Sequence, residues 1–203
     1  MLQRVLVGAL AISVCLAASG YARQDKKNAQ VENGQFTGRD NLIHPFSVAL
    51  LAPAAFSGLS DGVRAALIQK GCMIPQPSNA TGPENVISGH FRDASATDWA
   101  VLCSQNGSSS VMVFWGGAAD KVDVIATQKD TDYVQAPKQG AVYQYWRRIS
   151  TATPERIRKP KQNRKLEPFE HDGIDDAFVE NGSVIHYWRS GQWNELQGGE
   201  VKK

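Results

Sequence analysis

Asp98 to Trp115 reads DWAVLCSQNGSSSVMVFW, two apolar runs joined by a polar turn through Asn106-Gly107. Asp175 to Trp188 repeats it in shorter form as DDAFVENGSVIHYW. Both copies open on aspartate, reach an alanine followed by two apolar residues, turn through Asn-Gly and serine, and close on an aromatic residue and tryptophan. Apolar run, Asn-Gly turn and apolar run together predict a β-hairpin, and its recurrence predicts a repeated unit. In the first copy neither alternating face is polar: Ala100 and Leu102 oppose Trp99, Val101 and Cys103. Strands of that kind lie in a sheet covered on both sides.

Working outward, Asn85–Phe91 (NVISGHF) and Lys121–Thr127 (KVDVIAT) flank the first copy and complete a four-stranded antiparallel meander. Ala141 to Ile149 (AVYQYWRRI) adds an aromatic-rich strand before the second copy, whose strands fall near Asp176–Glu180, Ser183–Arg189 and Gln192–Leu196. Ser60 to Lys70 is the one clear helix. Ser60 can cap it, Val63, Ala66 and Leu67 form its apolar stripe, and Gly71 can end it in a left-handed conformation. Phe46 to Phe56 is apolar but interrupted by Pro53, which fits either a short helix or a strand and a turn. The expected fold is mainly β (α+β): antiparallel meander sheets built from two hairpin-type pseudo-repeats, with one helix packed on them, in a single domain over 41–197.

Residues 1–22 have the form of a secretory signal: Arg4, an apolar run from Val5 to Ala18, and the small-residue site Gly20-Tyr21-Ala22. Residues 23–40 are polar without a hydrophobic period and predict a loose leader, and 198–203 predict a polar tail. Export to a periplasmic or secreted location follows, with no transmembrane segment once the signal is removed. Cys15 lies inside the signal, leaving Cys72 and Cys103. In an oxidising compartment these two pair, a bridge worth roughly 3 kcal/mol, the alternative being two buried thiols. Net charge is +2, falling to +1 without Arg4, which gives no compositional case for nucleic-acid binding.

A glycine-led strand, a short acidic loop, an apolar strand opening on Asp and then Ala, and a strand ending in Trp together resemble FG-GAP (integrin-type) repeats. The resemblance covers Asn85 to Thr127 and, in part, Glu170 to Leu196. It implies blade-like sheets, a recognition role, and calcium in the loop between the first strands. Two copies cannot close a propeller, which needs about four blades or more. The first loop (HFRDASATDWA) has Asp93 and Asp98 only, whereas the second (FEHDGIDDAF) gathers Glu170, Asp172, Asp175 and Asp176 around Gly173.

Asp172, Asp175 and Asp176 are therefore the candidate metal ligands, with calcium the candidate cofactor and His171 beside them. Their alternative is a solvated Asp-Gly turn at a strand start. The histidines, His44, His90, His171 and His186, form no metal-type pair, and no G-x-S-x-G elbow nominates a nucleophile. Arg156, Arg158, Lys159, Lys161, Arg164 and Lys165 make a basic loop, within 151–168, suited to an anionic surface or simply to solvent. Trp146, Trp188 and Trp193 are candidates for an exposed binding platform, although alternate strand positions fill the core. The function expected is a non-enzymatic exported binding or envelope-associated module, with an envelope protein or glycan as partner. The competing expectation is a secreted metal-dependent enzyme or hydrolase with its site near His171 and Asp172.

Overall fold

The computed structural model describes residues 28–158 and 170–199. The expected signal at 1–22, residues 200–203 of the tail, and Lys159, Lys161, Arg164 and Lys165 of the basic loop lie outside the described residues.

The described chain opens with an antiparallel hairpin, β1 (Ala29–Thr37) and β2 (Ile43–Leu51), in register from Ala29 opposite Leu51 to Thr37 opposite Ile43. Residues 23–27 lie outside the described residues, and the loose leader expected over 23–40 is thus corrected over 29–37, which is an edge strand. Its sequence hides this, since one face meets solvent and the other is closed by only Glu32, Gly34 and Phe36. Gly34 has a specific use there: a Cβ would come within 2.7 Å of the Phe46 ring. The stretch 46–56 resolves as the rest of β2 followed by a 3-10 turn, Pro53–Ala55.

Helix α1 (Asp61–Gln69) forms where its capping residues predict. Ser60 Oγ accepts from the Val63 amide, Val63 and Leu67 are fully buried, and Gly71 takes φ +68° just past the helix. The chain continues through β3 (Ile74–Gln76) and the first repeat, β4 (Val86–Gly89), β5 (Asp98–Gln105), β6 (Ser108–Phe114) and β7 (Val122–Lys129). These four pair in sequence order as an antiparallel meander, as expected. Asn106 and Gly107 both have positive φ, 52° and 74°, the mirror-image turn that matches strand twist.

Short strands β8 (Val134–Gln135) and β9 (Tyr143–Tyr145) join the first sheet, β9 running parallel to β2. One residue later, at Trp146, the chain leaves that sheet and enters another as β10 (Arg147–Ala152). Helix α2 (Pro154–Arg158) follows, so the expected exposed loop over 151–168 is corrected at its start: Ile157 is 1% exposed and packs with Ala152 and Ile185. The second repeat supplies β11 (Gly173–Phe178), β12 (Gly182–Arg189) and β13 (Gln192–Gln197), and the sheet order is β10-β11-β12-β13.

All three sheets contribute to one core: Phe46 and Val48 from β2, Leu102 and Val111 from the first repeat, Ile149 and Ile174 from the second sheet of repeats. The other face of the first repeat, Val101, Cys103, Met112 and Phe114, packs under α1 with Leu67 and Phe56. That is why its strands have no polar side. A Cys72–Cys103 disulfide, Cα atoms 5.4 Å apart, ties the exit of α1 to β5. The protein is mainly β with one principal helix. No described helix is long and apolar enough to cross a membrane.

Candidate functional site

The acidic segment does not converge. Successive strand residues point to opposite faces, so Asp175 and Asp176 on β11 separate. Asp176 faces inward and takes both ends of the Arg147 guanidinium, at 2.9 and 2.6 Å. Asp175 lies on the opposite face of the strand, where it is buried and pairs with Arg156 of α2. Asp172 clasps the first repeat: its Oδ2 accepts from the His90 amide and its own amide donates to the His90 carbonyl, at 3.0 and 2.9 Å. The structure thus does not bring the expected cation set Asp172, Asp175 and Asp176 together at one point. Among the described residues no group of three His, Cys, Asp or Glu is arranged to hold a metal. His171 Nδ1 lies 3.1 Å from the Asp172 carbonyl, and His90 Nδ1 lies 2.9 Å from that of Ala96.

Arg147 is the centre of a buried polar hub between the two repeats. Its side chain is fully buried, and it also donates to the Ser109 carbonyl and hydroxyl and to the Ala126 carbonyl. Burial opposes its charge, but the Asp176 carboxylate more than compensates and raises its pKa. For Asp176 burial likewise opposes ionisation, yet Arg147 and then His186 hold its pKa below the ordinary value. Asp175 goes the other way: burial raises its pKa, against Ser183 and Arg156. Tyr133, over whose ring Arg147 lies at 4.5 Å, is pushed up to about 12 by burial and then by Asp176. His186 sits 3.7 Å from Asp176 and 3.2 Å from Glu195, so its partners are carboxylates and not a serine. These groups are titratable but enclosed.

The tryptophans pack on one another. Trp188 and Trp193 are cross-strand partners, and Trp115 of the first repeat stacks on Trp193 at 5.5 Å and meets Trp188 edge-on at 5.2 Å. Arg92 covers Trp115, and the Trp193 indole donates to Asp123 of β7. Trp146 is 7% exposed. The trio thus closes the seam between the repeats.

The surface left open is the outer face of the first sheet. Along β1 it carries Ala29, Val31, Asn33, Gln35 and Thr37, all exposed, while Glu32, Gly34 and Phe36 between them are half-buried. Along β2 it carries Ile43, Pro45, Ser47, Ala49 and Leu51, and Gln144 extends it from β9 beside Ser47. None of these is charged. Val31 and Ile43 are 62% and 68% exposed, and Val142, two residues before Gln144, is 43% exposed. Such uncharged sheet faces are normally covered or broken by charge.

At the β1 start and β2 end, this face becomes one wall of a cleft of about 820 Å³. Ala54 and Ala55 and the loop from Pro77 to Pro83 form the rest, and no charged side chain among the described residues lines it. The loop is held in place from behind. Gln76 bonds Glu84 through its amide nitrogen and oxygen, at 3.0 and 2.8 Å, and the Ser78 amide donates to the Tyr145 carbonyl. Arg148 grips Glu84 at 2.6 Å and Asn79 at 2.8 Å. The cleft is therefore built before any ligand arrives.

None of the described sequence candidates lines this cleft. Arg156 pairs with Asp175 while its side chain stays 42% exposed. A signal for the open face existed: Gly38-Arg39-Asp40-Asn41 is a turn sequence, Asp40 bonds the Leu42 amide, and β-alternation precedes it. Comparison of the chain with protein-family models, curated proteins and solved structures gives no match.

Proposed function

We propose that the protein is a non-enzymatic binding module whose contact surface is the uncharged outer face of its first sheet, with the cleft at one end. The observation that carries this is the run of exposed and half-buried uncharged residues on β1, β2 and β9, continuous with a preformed cleft. The shifted titratable groups support binding over catalysis, because Arg147, Asp175 and Asp176 are enclosed and none lines the cleft. Tyr145 does line it, but burial raises its pKa well above the ordinary value, away from acid–base work near neutrality. An exported setting, periplasmic or secreted, with a partner in the cell envelope, suits the Cys72–Cys103 disulfide. The FG-GAP resemblance supports the same recognition role, since each repeat contributes to one four-stranded meander.

The test is site-specific photocrosslinking in the producing cell. A photoreactive residue at Val31 or Ile43 should yield discrete adducts that the same residue at Val124, exposed on β7, does not. Equal adducts at all three positions, or none at Val31 and Ile43, would overturn the assignment.

A further inference from the structure

Taking the cleft as the contact site proposed above, its walls restrict what it can hold. With no charged side chain among the described lining residues, a phosphate, carboxylate or ammonium group would find no counter-charge from them on being desolvated there. Tyr145 is the only aromatic ring among the described lining residues, and at 1% exposure it offers no face for a sugar to stack on. Ser47, Ala49 and Leu51 form the floor at two-residue steps along β2, about 6.6 Å apart. That is also the side-chain repeat on one face of an extended peptide. Between the small side chains, the amide of Asn28 and the hydroxyls of Ser47 and Thr81 bond no other described residue and can meet a peptide backbone. Ser47 to Leu51 spans about 13 Å, the length of about four extended residues.

We propose that the cleft binds an extended, uncharged peptide segment of a partner protein, about four residues long and carrying small side chains at alternate positions. Arg148 acts as a positioning residue, fixing the loop wall through Glu84 and Asn79. The wall is then ordered in advance, which lowers the entropy lost on binding.

The experiment is selection of phage-displayed random decapeptides on the oxidised protein, with a neutral oligosaccharide array in parallel. Both are repeated with Ala49→Arg on the floor, Thr81→Arg on the opposite wall, and Val124→Arg as a distant control. Folding of each variant is checked by its melting midpoint, and the two cleft variants back each other if one is misfolded. Expected are peptides poor in Asp, Glu, Lys and Arg whose capture falls about 10-fold or more with either cleft variant and not with the control. Charged peptides, or peptides indifferent to both cleft variants, would overturn the peptide assignment. Oligosaccharide binding lost in the cleft variants without peptide enrichment would overturn it too, while leaving the binding function standing. No cleft-dependent ligand in either format would overturn both.

Discussion

Replacing Arg147 with methionine removes the charge around which the two repeats are joined. The guanidinium makes two bonds to Asp176, two to Ser109 and one to Ala126, all between 2.6 and 3.0 Å, with no exposure of its side chain. Methionine fills much of the volume but leaves the Asp176 carboxylate buried without its main counter-charge. Breaking a buried pair from one side in this way costs about 3–5 kcal/mol. For a chain of this size that corresponds to a fall in melting midpoint of roughly 6–20 °C. Urea unfolding of the oxidised protein, followed by tryptophan fluorescence, measures the loss directly. The double variant Arg147→Met/Asp176→Leu removes both charges and should recover about 2 kcal/mol or more of the summed single losses. A loss below about 1 kcal/mol for Arg147→Met, or strict additivity in the double variant, would refute the buried ion pair as the joint between the repeats.

The two neighbouring aspartates should respond to pH in opposite directions. Asp176 has a folded pKa below its ordinary 3.8, so its stabilisation is complete above that value and is lost as pH falls through the folded pKa. The Arg147→Met/Asp176→Leu variant should lose less stability than wild type over that acidic range in urea titrations. Asp175 has a folded pKa raised above 3.8 by burial, so its ionised form is a penalty that appears as pH rises through the folded value. Asp175→Asn should therefore be more stable than wild type at neutral pH, with the gap closing below pH 3.8; a variant equally destabilised at both pH values would contradict this. Reducing the Cys72–Cys103 bridge, which closes a separation of 31 residues, should cost about 3–4 kcal/mol and lower the melting midpoint in dithiothreitol. Calcium should leave the melting midpoint where it is in chelator, because Asp175 and Asp176 are turned to different arginines. A rise abolished by Asp172→Ala would restore the cation site.

Much of the fold is legible because it depends on local chemistry. Asn-Gly turns, the two-sided apolar strands of the first repeat and the Ser60-to-Gly71 helix frame each carry a short-range cause, and each forms where it is expected. The disulfide is the pairing expected of the two cysteines left once 1–22 is read as a signal. The strand β1 escaped because an edge strand with one wet face needs few apolar residues; β2 supplies its hydrogen bonds from across the turn. The start of the basic stretch escaped for a related reason. Ile157 is a single apolar residue among charges, and only its packing against Ala152 and Ile185 makes it a helix anchor.

By itself, then, the sequence determined the repeats, their hairpins, the helix and the bridge, all set by neighbours along the chain. It could only gather candidate site residues by type, and type was a poor guide. Asp172, Asp175 and Asp176 are close in sequence, but strand alternation turns the last two to opposite faces and loop contact claims the first. The open face and its cleft arise from residues as far apart as Asn28, Ala49, Ser78 and Gln144, none unusual alone. Their common property is lack of charge on one side of one sheet. That exists only once register has placed them together, which is why tertiary structure alone decided where an uncharged face is left open.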